Sequence, residues 1–135
     1  MFELIKGKVV INDIEISVSD SLTIVLKKTL GMSKTIRNIN NYQHLFINDV
    51  FIYGKKSHVR FIFYPDGKME SISFSFSQEC ADSNVEPLLL FLKKHNIFLM
   101  KNTKGFYEKN FTWGALGVFN DPHYLGQFSI VLRCK

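Results

Sequence analysis

The chain has 135 residues, 46% of them apolar and 14% aromatic, and 17 Lys and Arg against 12 Asp and Glu give a formal charge of +5. It is too apolar and too weakly charged to remain disordered, and two cysteines are too few for a disulfide scaffold. The expectation is a single globular α+β domain over residues 1–135, able to fold without a metal or a covalent staple.

The opening Met1–Lys6 carries a charge at position 3 and no apolar run, so it does not read as a signal peptide. The longest apolar run, Leu88 to Leu92, is far shorter than a membrane span. A cytoplasmic location and no membrane association follow as expectations. Lys8–Ile11 and Ile14–Val18 flank Asn12-Asp13, two residues that tolerate the left-handed backbone of a tight turn, and predict a hairpin with Val10, Ile14, Ile16 and Val18 on its apolar face. Ser19 to Ser21 offer helix caps, and Leu22, Val25, Leu26 and Leu30 form one stripe, so a helix is predicted over about 21–30, ending at Gly31. Residues 32–43 lack periodicity and read as a loop or irregular edge. Leu45–Ile47 and Val50–Tyr53 flank a second Asn-Asp, at 48–49, read as another turn.

The clearest hairpin joins His58–Tyr64 to Lys68–Ser77 through Pro65-Asp66-Gly67. In its return strand Ile72, Phe74 and Phe76 alternate with Ser71, Ser73, Ser75 and Ser77, so one face is packed and the other solvated or lightly covered. Ser83-Asn84-Val85-Glu86 has the spacing of a capping box and starts a second, more deeply buried helix that ends near His95. Phe98–Met100 suggests a short strand, and Lys101–Asn110 a polar loop. Thr112–Phe119 and Gly126–Arg133 form a last strand pair, and the glycines inside the first of these mark a bulge or a close backbone crossing. The elements do not alternate as βαβ units, which leaves a mainly antiparallel sheet of about five to seven strands with two helices on one face.

Catalytic patterns are absent: no phosphate loop, no nucleophile elbow and no zinc spacing among His44, His58, His95, His123, Cys80 and Cys134. No catalytic residue, cofactor or metal is expected. The sharpest enzymatic alternative pairs Cys80 with His58 or His123, because a thiolate needs a base or a helix N-terminus. The Asp121-Pro122-His123-Tyr124 loop reads better as a contact loop, and with Lys55 and Lys56 it supplies the candidate partner-binding residues Asp121, His123, Tyr124, Lys55 and Lys56. The basic pairs at 27–28 and 93–94 sit at helix ends, where the dipole accounts for them. A basic nucleic-acid-binding module is therefore the lesser alternative, since such proteins concentrate charge on one face.

Trp113-Gly114-x-Leu116, Asp121-Pro122-His123, Gly126 and Ser129-Ile130-Val131-Leu132 form a closing pattern. With the short α+β layout and the lack of catalytic motifs, it resembles the small immunity proteins that bacteria encode beside polymorphic or contact-dependent toxins. The likeness is by motif from Trp113 onward and by layout elsewhere. It implies a non-enzymatic domain that binds and neutralises a toxin. Inhibitors of basic nucleases tend to be acidic, so a chain of charge +5 implies a partner with an acidic or apolar contact surface. A homodimer through an exposed strand edge is compatible with each of these readings.

Overall fold

The computed structural model describes residues 3–76, 85–121 and 127–135, with backbone only at 120, 121 and 127. A 3-10 turn at Glu3–Lys6 leads into β1 (Lys8–Ile11) and β2 (Ile14–Ser17), then α1 (Leu22–Lys28). Next come β3 (Lys34–Ile39), β4 (Tyr42–Ile52), β5 (Lys55–Phe63) and β6 (Met69–Phe76). After α2 (Glu86–Lys94) follow β7 (Met100–Lys101), β8 (Tyr107–Phe111), β9 (Gly114–Asp121) and β10 (Gln127–Cys134). The chain is α+β. Among the described residues the large sheet is antiparallel throughout, with strand order β3-β4-β5-β6-β10-β9-β8-β7, and β1-β2 is a separate hairpin.

Eight strands correct the expected five to seven. The additions come from two stretches read as irregular. Residues 32–43 hold β3 and a tight turn, and Lys101–Asn110 holds most of β8; β7 meets the short strand expected at Phe98–Met100 only at Met100. All three strands lie at or beside an edge, where side chains meet water on both sides and no apolar period marks the strand. A further correction concerns Asn48-Asp49. They do not turn the chain; they form a bulge within β4, where the register shifts between Ile47 and Val50 and Asp49 takes φ +60°.

The hairpins at Asn12-Asp13 (φ +48° and +67°) and at Pro65–Gly67 form as predicted. In the first, Val9 and Ile11, rather than Val10, join Ile16 in the core. Ser21 caps α1, accepting a hydrogen bond from the Ile24 amide at 3.4 Å, but only Val25 of the stripe is buried and Leu30 projects into solvent. In α2, Leu88, Phe91 and Leu92 are buried while Leu90 is exposed, so this helix is the more deeply set, as expected. It begins at Glu86 with Pro87 in its first turn, and the Ser83 end of the predicted capping box lies outside the described residues. Among the described residues, no helix is long and apolar enough to cross a membrane.

One face of the large sheet builds the core. Leu45 and Ile47, Val59, Phe61 and Phe63, Ile72, Phe74 and Phe76, Ile130 and Leu132, and Leu116 and Val118 alternate along five strands, all nearly inaccessible. Phe91 of α2 meets Phe76 edge-on, ring centroids 4.8 Å apart, and Val25 of α1 joins the same cluster with the residues of the small hairpin. Each such fully buried side chain contributes about 1.5–3 kcal/mol relative to an exposed one. Among the described residues, both helices and the small hairpin lie on this side, and no described helix or further strand packs on the opposite face of the sheet.

Candidate functional site: the uncovered face of the large sheet

The strand register assigns the opposite face residue by residue. One row runs Thr35, Phe46, Arg60, Ser73, Val131, Gly117 across β3, β4, β5, β6, β10 and β9. The next runs Arg37, His44, Ile62, Ser71, Arg133, Ala115. His58 lies opposite Ser75, and Ser129 opposite Phe119. The middle of the face therefore has small residues and the flanks have long ones. Ser71, Ser73, Ser75 and Ser129 are themselves only 4–6% exposed. Of the two expected states, solvated or lightly covered, this strand shows the second, its serines set between larger cross-strand neighbours.

The flanks are cationic and aromatic. The Arg37 guanidinium lies 5.9 Å from the centre of the Phe46 ring, and Phe46 lies opposite Arg60. His44 stacks on Phe46 with centroids 6.2 Å apart. The His58 Nδ1 sits 3.1 Å from Asn48 Oδ1. Arg37, His44, Phe46, Asn48 and Arg60 line a hollow of about 370 Å³. On the far flank Arg133 lies 5.0 Å over Phe119, which in turn meets Phe106 at 5.4 Å. Among the described side chains, the two rows that hold the arginines carry a carboxylate only on β8, where Glu108 accepts a hydrogen bond from the Asn102 amide at 2.8 Å; at the end of the face Asp49 pairs with Lys56. Three arginines facing one way, with no described acid between them, present a positive potential to whatever docks.

Of the predicted partner-binding residues, Lys56 stands at one end of this face, alternating along β5 with His58 and Arg60, while Lys55 belongs to the opposite face. Lys55 and Lys56 open β5 and Asp121 closes β9, so all three reach the same end of the sheet. The two intervening strands, β6 and β10, hold them about 14 Å apart. Lys55 lies 5.5 Å over the Phe76 ring and lines a second hollow with Tyr53, Phe91, Lys94 and His95. Lys56 pairs with Asp49 at 3.6 Å, both well exposed. His123, Tyr124 and Cys80 lie outside the described residues, as does the side chain of Asp121. Among the described residues no three His, Cys, Asp or Glu converge as metal ligands.

Packing accounts for the start of the closing motif. The Trp113 indole donates to the Ile5 carbonyl at 2.8 Å and stacks on Phe111. Gly114, at φ +151°, lets the Arg133 carbonyl approach to where a Cβ would be 1.9 Å away, which is the close crossing expected from the strand glycines. Cys134 is half-buried; burial first, and then the Glu70 carboxylate, push its thiol up to about 11.

Arg37, Arg60, Arg133, Phe46 and Phe119 were not singled out by sequence reasoning. The available signal was the serine alternation of β6, because the hairpin across Pro65–Gly67 puts Arg60 in register with Ser73. No family model matches the chain, and no curated protein or solved structure matches it either.

Proposed function

We propose that the chain is a non-enzymatic protein-binding domain whose partner docks on the uncovered sheet face with an acidic surface, and that it serves as an immunity protein occluding the active site of a toxin. The observation that carries the docking surface is the Arg37–Phe46–Arg60 cluster, with Arg133 on Phe119, across a face whose described centre lacks a carboxylate. Arginine and aromatic residues are the side chains most often found at the energetic centre of interfaces. The step from docking to toxin neutralisation rests on the sequence resemblance and the missing catalytic motifs. Its test is to co-express the chain with the toxin-like product of the neighbouring gene. Rescue of growth and a stable complex in size exclusion are expected. A locus without such a gene, or a toxin that forms no complex, overturns it.

One observation favours a second reading, nucleic-acid binding: arginine stacked on an aromatic ring also grips a single strand. The spacing argues against it. Phe46 on β4 and Phe119 on β9 are separated by four strand intervals, about 19 Å, with serines rather than flat rings between them. A steeply salt-dependent gel shift would reverse this preference.

A further inference from the structure

Resting on the reading of the uncovered face as a protein-docking surface, we propose that β3 is its pairing edge: an extended, acidic segment of the partner adds to β3 as a further strand and places its carboxylates beside Arg37. The turn that follows β3 fixes which backbone groups are open. Asn40 and Asn41, at φ +52° and +71°, form a two-residue turn between Ile39 and Tyr42. In such a hairpin the closing pair exchanges both hydrogen bonds, and bonded and non-bonded pairs then alternate. Arg37–His44 and Thr35–Phe46 are therefore bonded pairs, and Lys34, Ile36 and Asn38 turn their N–H and C=O groups away from β4. Thr35 through Ile39 are all exposed, with Ile36 at 51% and Ile39 at 42%.

This edge lacks most of the usual guards. It has no proline and no bulge in its register with β4, and it runs six residues where β7, at the opposite edge, runs two. Its charge selects the occupant. β3 carries Lys34 and Arg37 and no acid. Lys34 turns back to donate to the carbonyls of Thr29 at 2.6 Å and Met32 at 3.3 Å, while Arg37 lines the 370 Å³ hollow with Ile39, His44 and Arg60. A second copy paired through the same edge would bring four cations onto one short ladder with no compensating acid. An incoming strand instead places alternate side chains over the uncovered face, next to Arg37, where a carboxylate is matched and a lysine repelled.

The test uses the intact chain and a fluorescein-labelled octapeptide of alternating glutamate and valine, read by anisotropy. The acidic peptide should bind, a lysine-valine version should bind at least about tenfold more weakly, and Arg37→Glu should reverse that order. Methylating alternate backbone nitrogens of the acidic peptide should abolish binding without touching the protein, so the outcome does not depend on a variant that folds poorly. Ile36→Pro, which removes an outward N–H, should have the same effect. Binding that survives both changes, or a lysine peptide that binds as well as the acidic one, overturns the proposal. So does a dimer in sedimentation equilibrium that is lost in Ile36→Pro, because the edge would then belong to a second copy. If the protein partner binds Ile36→Pro as tightly as wild type, edge pairing fails while the sheet-face reading stands.

Discussion

The guanidinium of Arg133 lies 5.0 Å above the ring of Phe119, and the same ring covers Gly117, where a Cβ would stand 2.5 Å from it. Gly117 is therefore the seat of the aromatic group that supports Arg133. Gly117→Ala should displace the ring and cost about 1–3 kcal/mol of stability in urea unfolding, the usual range for overpacking. Adding Phe119→Leu should recover part of that loss. Additive losses in the double variant would mean that the ring does not rest on Gly117.

Gly114 tolerates less. Its φ of +151° and the Arg133 carbonyl 1.9 Å from a built Cβ leave only backbone to move. Gly114→Ala should lower stability by about 3 kcal/mol or more, comparable with Phe61→Ala in the centre of the core. A loss below about 1 kcal/mol by the same measurement would contradict the close crossing of β9 and β10.

Cys134 links stability to pH. Its thiol lies near 11 in the folded chain against an ordinary 9.0, chiefly through burial, so the folded chain holds this proton more tightly than the unfolded one. The resulting stability is fully present below pH 9 and is lost as the pH rises towards 11. Tyr53, whose phenol is raised by burial and then by Glu3, extends the trend to higher pH. Cys134→Ala should flatten the decline between pH 9 and 11. Alkylation at pH 8, located by peptide mapping, should be roughly a hundredfold slower at Cys134 than for an exposed thiol.

Much of the packed half of the molecule was legible in the sequence. Phe74 and Phe76 alternating with serine fixed the inward face of β6, and Ser21 with Gly31 bracketed α1 to within a few residues. Strands β3 and β8 were not legible, because at and near an edge Thr35 to Ile39 and Lys109 to Asn110 stay exposed and no period develops. The bulge at Asn48-Asp49 read as a turn because turn and bulge use the same left-handed backbone, and only the β5 partner distinguishes them. The arginine face was hidden for a different reason. Arg37, Arg60 and Arg133 are far apart in sequence and are brought to one side only by the register of six strands.

The central claim is that an acidic protein surface docks on the uncovered face, and calorimetric titration with the toxin-like product of the neighbouring gene, the proposed partner, tests it most directly. The Arg60→Glu/Arg133→Glu double variant should weaken binding by at least about 2 kcal/mol while leaving the melting temperature nearly unchanged. Lys27→Glu/Lys93→Glu, the same charge change at the exposed ends of α1 and α2 on the covered side, should bind as wild type does. Equal losses in both double variants would reduce the effect to net charge, and a loss confined to the helix pair would place the interface on the wrong side of the sheet.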